Sequence, residues 1–267
     1  MSLTFTMRKW VCLLMFFGCG IAGAAPLAFQ SAARQTALLE LYTSEACSSC
    51  PPAEAWLSRL KDQPGLWSEF VPVAFHVDYW NNSGWRDKLS SDEFSQRQND
   101  YARAWSAQNI YTPEFVLNGR EWSNWLGYRS IPSAPADAVG TLQASSNDSK
   151  HWQVNFVPAD KGTADYEVTA ALLASGVDSN VTGGENSGRQ LRHDFAVLSL
   201  ITRPLASQGA GYQGTFIIDD HPKSIPGRLA LAVWVTRRGQ LEPLQATGGW
   251  LPQPQPTNLT TNQPAGK

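Results

Sequence analysis

Two of the chain's four cysteines, Cys47 and Cys50, stand three apart in "YTSEACSSCPPAEAW", directly before Pro51 and Pro52. Such a pair serves thiol-disulfide exchange, metal ligation or a structural disulfide. Structural zinc usually takes four Cys or His ligands, whereas His76, His151, His193 and His221 are scattered singly and no second C-x-x-C exists. A copper site built from Cys47, Cys50 and His76 stays open as an alternative. A clip across so short a loop removes little entropy from the unfolded chain, so a purely structural role would be a weak staple. Redox chemistry is the reading the spacing favours.

The other two cysteines, Cys12 and Cys19, fall within a different kind of segment. Arg8 and Lys9 precede the apolar run "WVCLLMFFGCGIAGAA", which closes on Ala22-Gly23-Ala24. This pattern predicts a secretory signal peptide over residues 1–24. The run is shorter than the ~20 apolar residues a spanning helix needs and is interrupted by glycines. Cys19 after Gly18 leaves lipid attachment as a second possibility, although Phe16 and Phe17 match the usual leader poorly. Cleavage near Ala24 would leave Cys47 and Cys50 as the mature chain's cysteines, in a periplasmic or extracellular setting where disulfides persist.

The elements that must position the pair follow from hydrophobic periodicity. "TALLELYT", Thr36 to Thr43, predicts a strand feeding the cysteine loop, and "PPAEAWLSRLKDQ" predicts a helix with Ala53, Trp56, Leu57 and Leu60 on one face, ended by Pro64-Gly65. Phe70 to Trp80 predicts a buried second strand, making a right-handed βαβ crossover with the cysteines on its first connection. Ser90 and Glu93 form a capping-box start for a helix to about Gln108. Phe115 to Leu117, the Asn118-Gly119 turn and Arg120 to Trp122 form a hairpin, and helix-forming residues between Pro135 and Ala144 would close the unit. From His151 onward, five β-like runs predict an antiparallel sheet or sandwich.

This placement has a chemical consequence. A cysteine at the start of a helix faces spare backbone N–H groups and the positive end of the helix dipole, which stabilise a thiolate. Cys47 is then the attacking sulfur and Cys50 the resolving one. Pro51 lacks an N–H where the first helical turn needs none, so it costs little there.

On "ELYTSEACSSCPPAE", "AFHVDYWNNSGW" and "YTPEFVLNG" the chain resembles thioredoxin-fold proteins, and more narrowly the secreted bacterial thioredoxin-like family catalogued as domain of unknown function 1223. The resemblance is strong over about Leu38 to Trp122. It implies an α/β thioredoxin-like domain over residues 35–145, a central mixed sheet flanked by helices. A β-rich, sandwich-like domain over 150–251 and a disordered tail over 252–267 would follow. It further implies a cis peptide at Thr112-Pro113, opposite the cysteines, with Thr112 pairing to an extended substrate segment. Glu40 takes the position of a buried acid beneath the cysteines. It is either the base that deprotonates Cys50 or a hydrogen-bonded structural acid. His76, Asp78, Tyr79 and Trp80, at the C-terminal end of a parallel strand, with Trp85 after it, are candidate substrate-binding residues. A lone histidine on an apolar strand is also ordinary core material. Ser48-Ser49 differs from the dipeptides of well-known relatives, leaving open whether the pair oxidises or reduces.

The formal net charge of −2 advertises neither nucleic acid nor an anionic membrane surface as partner. The expected activity is thiol-disulfide exchange with protein or small-molecule thiols and disulfides, reset by an external redox partner and needing no dissociable cofactor. The rivals are a copper chaperone or sensor and a redox-inert scaffold whose β-rich half does the binding.

Overall fold

The structure, a computed structural model, describes residues 26–132, 137–162, 164–218 and 227–253. The expected signal peptide, His221 and all but the first two residues of the expected tail lie outside the described residues.

In chain order the elements are β1 (Leu27–Gln30), β2 (Ala37–Thr43), α1 (Cys50–Ser58), β3 (Phe70–His76), α2 (Asp92–Trp105), β4 (Glu114–Leu117), β5 (Arg120–Glu121), β6 (Gly140–Ser146), β7 (His151–Pro158), β8 (Tyr166–Ser175), β9 (Val177–Asn180), β10 (Gln190–His193), β11 (Ala196–Pro204), β12 (Ala206–Gln208), β13 (Gly211–Ile217), β14 (Arg228–Arg237) and β15 (Pro243–Trp250). Short 3-10 turns over Arg59–Asp62 and Trp125–Gly127 complete the regular structure.

Every residue of β2 and β3 is buried, as expected for strands covered on both faces. They pair in parallel from Ala37↔Phe70 to Thr43↔His76, with α1 on the connection between them. Pro72 is tolerated inside β3 for a local reason. Ala74 N donates to Phe195 O, so the missing N–H of Pro72, two residues earlier, turns to the same edge. There the pairing with β11 consists of Ala196↔Ala74 alone. β4 lies antiparallel to β2 and turns into β5 through Asn118 and Gly119, both at positive φ (50° and 78°) as a two-residue hairpin turn requires. α2 begins one residue later than the sequence indicated: Ser91 is the N-cap, accepting from Glu93 N.

The expected helix-flanked α/β domain followed by a separate β domain is overturned. The described residues form fifteen strands and two α-helices, and one eight-stranded sheet runs β15-β14-β8-β11-β3-β2-β4-β5 across both halves of the chain. A five-stranded sheet, β1-β6-β7-β13-β12, and the β9/β10 hairpin complete the strand set. The segment expected to close the first unit as a helix instead contains β6, whose alternating burial is that of a strand with one covered face. The physical reason for the merger lies in β8 and β14. Val168, Ala170 and Leu172 of β8 and Leu231, Val233 and Val235 of β14 pack with Leu142, Trp152, Val154 and Phe156 of the five-stranded sheet. The alternate residues Ala171, Leu173, Ala230, Ala232 and Trp234 belong to the core that holds Leu39, Leu41, Trp56 and Phe75. Strands apolar on both faces must be covered on both, and this arrangement covers them.

Candidate functional site

α1 starts at Cys50, with Pro51 and Pro52 in its first turn. Cys47 precedes it in a tight turn: Cys47 N donates to Ser44 O and Cys50 N to Cys47 O, both at 3.2 Å. The two sulfurs lie at disulfide distance, with Cα atoms 5.5 Å apart. Ser49 makes no side-chain cap. Its Oγ lies 3.2 Å from Cys47 Sγ instead. Both cysteines are buried, Cys47 at 1% and Cys50 at 0% exposure, whereas Ser48 and Ser49 are exposed.

The Thr112–Pro113 peptide is cis, and Thr112 O lies 3.7 Å from Cys47 Sγ. Trp80 Nε1 donates to Thr112 Oγ1 at 2.8 Å, so this tryptophan braces the segment facing the cysteines. The remaining sequence candidates disperse. Asp78 Oδ1 accepts from Ser95 Oγ on α2. Tyr79 OH donates to Gln98 Oε1 at 3.2 Å. Trp85 Nε1 donates at 2.6 Å to Oε2 of Glu45, a residue of the cysteine turn.

Glu40 is committed elsewhere. Arg97 Nε and Nη2 donate to its two carboxylate oxygens at 2.7 and 3.0 Å, and Tyr101 OH and Tyr42 OH donate at 2.6 and 3.0 Å. Its partners are thus on α2 and its own strand, which is the structural-acid arrangement.

The polar cluster against the cysteine turn joins one sequence candidate, His76, to residues that the sequence did not single out. Glu54 is one helical turn beyond Cys50. Its Oε1 accepts from Thr43 Oγ1 at 2.7 Å and its Oε2 lies 2.5 Å from His193 Nδ1. His76, at the end of β3, donates from Nδ1 to Asp87 Oδ2 at 2.7 Å, and the same oxygen accepts from Glu45 N at 3.0 Å. The two imidazoles meet edge to face with centroids 4.9 Å apart. Burial disfavours a charged His193 ring, but Glu54 and Glu45 outweigh it and push its pKa up to about 10. Burial works against a charged His76 in the same way, and Asp87 overcomes it, raising His76. Burial would raise Glu54, yet the facing His193 holds it below the ordinary carboxylate range.

A segment from the second half of the chain clamps this turn. Asn186 Nδ2 donates to Glu45 O and Cys47 O at 2.9 and 2.8 Å, and Ser48 N and Oγ donate to Glu185 Oε2 at 2.9 and 2.7 Å. Gly184 permits the approach, because a Cβ there would stand 3.0 Å from Ala46 Cβ on a backbone with φ +68°.

Sequence reasoning missed Glu45, Glu54, Asp87, Asn186 and the role of His193. Only Glu54 carried a local signal, a charge on the same face of α1 as Cys50, Ala53 and Leu57. The group whose ligand atoms lie within 4.8 Å of one another joins His76 to Glu54 and His193 and contains neither cysteine.

The profile of the family described as "Protein of unknown function (DUF1223)" matches residues 38–236. No curated protein matches the chain. Among solved structures, a structural-genomics protein from Agrobacterium tumefaciens is similar at 21% identity and TM-score 0.55, over 82% of this chain and 94% of that one. HBP35 of Porphyromonas gingivalis is similar at 13% identity and TM-score 0.54, over 88% of this chain and 80% of that one. At these identities the likeness is one of fold alone.

Proposed function

Taking as premise that the chain belongs to the DUF1223 family, we propose that it is a thiol-disulfide oxidoreductase working through Cys47 and Cys50. The observation that supports this reading is a cysteine pair at disulfide distance at the head of α1, with Thr112 O 3.7 Å from Cys47 Sγ. In the reduced form the Cys47 thiolate attacks one sulfur of a substrate disulfide, and the other substrate sulfur leaves as a thiolate that takes up a proton. Cys50, after losing its proton to solvent, attacks Cys47 Sγ and expels the first substrate sulfur. The substrate gains two electrons and the pair becomes the Cys47–Cys50 disulfide; an external dithiol returns it to the reduced form. Run in reverse, the same steps donate a disulfide. The substrates would be protein or small-molecule thiols and disulfides, and the setting the periplasm or the extracellular space, where an exchangeable pair meets both forms. Among the described residues no helix is long and apolar enough to cross a membrane.

The test has two parts. Equilibrating the protein with glutathione buffers should give a single two-electron transition belonging to Cys47/Cys50 and absent from Cys47→Ser. Cys50→Ser should accumulate mixed disulfides through Cys47 while Cys47→Ser does not. A pair that never exchanges with glutathione or with a reduced, unfolded protein substrate would overturn the reading.

A further inference from the structure

Beyond the cysteines, and independent of their redox role, the histidine cluster has the composition and geometry of an ion site. We propose that Glu54, His76 and His193 bind a divalent transition-metal ion, with the ligand preferences of zinc.

Three features of the cluster carry this. The three residues arrive from α1, β3 and β10, all are buried, and one ligand atom from each lies within 4.8 Å of the others. Second, His76 Nε2 and His193 Nε2 are both buried without a hydrogen-bond partner. Leaving a buried polar group unmet is costly, and His76 Nε2, whose ring holds its proton at Nδ1 toward Asp87, presents a lone pair there that calls for an acceptor of lone pairs. His193 Nε2 does lie 3.2 Å from Glu45 Oε1, but not in hydrogen-bonding alignment. Third, His76 Nδ1 is tied to Asp87 Oδ2 at 2.7 Å. This is the carboxylate–histidine arrangement that fixes a ligating imidazole's tautomer and leaves its other nitrogen free for a metal.

Two imidazoles and a carboxylate, with no thiolate, suit a borderline ion such as Zn2+ better than a soft cuprous ion or a hard cation seeking only oxygens. Glu45 Oε1 is the nearby oxygen available as a fourth donor. Zn–N and Zn–O bonds of about 2.0–2.2 Å require the side chains to close in from their present spacing. As the ion takes His193 Nε2, the proton on that nitrogen leaves to solvent, while Nδ1 keeps its proton toward Glu54 Oε2, 2.5 Å away.

The experiment uses the disulfide-oxidised protein, so that no thiolate competes, stripped with a chelator that is then removed. Zn2+ is titrated in competition with a chromophoric chelator. One equivalent should bind, and the melting temperature should rise with Zn2+ concentration. His76→Asn and Glu54→Gln should each weaken binding by more than the roughly 10- to 100-fold that loss of an outer partner costs, while a Cys47→Ser/Cys50→Ser double variant keeps it. Should those single variants fail to fold, Co2+ in the wild-type protein decides instead: visible bands of a nitrogen/oxygen site without thiolate charge transfer support the proposal. No stoichiometric uptake of Zn2+ by folded oxidised protein, or uptake unchanged in folded His76→Asn, would overturn it.

Discussion

Glu114 should make the protein less stable as pH rises through neutrality, and replacing it should remove that loss. It follows the cis Thr112–Pro113 bond on β4, is 5% exposed, and accepts from Gln98 Nε2 at 2.5 Å. Burial raises its pKa, Gln98 opposes that, and Glu121 and Glu40 add to it, bringing the carboxyl from 4.5 up to about 7. The sign follows from proton counting. Between these two values the folded protein keeps a proton that the unfolded chain has released, so stability is full below about pH 4.5 and drains away as pH rises through about 7. At ~1.36 kcal/mol per pH unit the gap sets a ceiling of about 3 kcal/mol, and solvent screening near the β4 edge reduces it to about 1–2 kcal/mol. Urea unfolding of oxidised wild type and Glu114→Gln at pH 5 and pH 8 measures it. Groups common to both proteins cancel in the difference. Glu114→Gln should gain about 1–2 kcal/mol on wild type between pH 5 and pH 8. A difference that does not move with pH would refute the reasoning.

Arg97→Met strands the Glu40 carboxylate, which is 1% exposed and held through two oxygens. Denaturant midpoints should show a loss of about 3–5 kcal/mol, the cost of leaving a buried charge without its partner. Asn186→Ala removes the donor shared by Glu45 O and Cys47 O. It should cost about 1–3 kcal/mol in the same assay. The oxidised variant should also be reduced faster by dithiothreitol than wild type, since its cysteine turn keeps the Ser48–Glu185 bonds but loses the two from Asn186; an unchanged rate would show that Asn186 does not restrain the turn.

What could be read from the sequence is what local chemistry dictates. β2, α1, β3, the Asn118-Gly119 hairpin and the cysteine turn between them announce themselves through apolar runs, prolines and φ-positive residues within a few positions of each other. Five later strands were legible in the same way. β15 was not, because Gly248 and Gly249 interrupt the apolar pattern of "PLQATGGW". Their purpose is long-range: a Cβ on Gly249 would lie 2.2 Å from the Phe29 ring, and one on Gly248 would lie 2.8 Å from the Trp67 ring. The division into two sheets was hidden for a related reason. A doubly apolar strand such as "RLALAVWVT" says that both faces are covered, but not by what.

The site divides along the same line. Cys47, Cys50, Thr112 and Pro113 come together because β2, which leads into the cysteine turn, pairs with β4, which follows Pro113; that juxtaposition was legible through the family resemblance and not through the pattern alone. His193 reaches His76 only because β11 bridges to β3 at Ala196↔Ala74, a contact spanning more than half the described chain. The tight turn from Ser44 to Cys47 explains why polar residues gather there. Its main-chain groups cannot all bond within the turn, and buried ones must find partners. Asp87 accepts from Glu45 N on one side while Asn186 donates to Glu45 O and Cys47 O on the other. Asp87 Oδ2 also orients His76. The carboxylate that shapes the cysteine turn thereby aims an imidazole into the buried cluster, which gives the disulfide and the proposed ion site a shared structural support without any shared ligand.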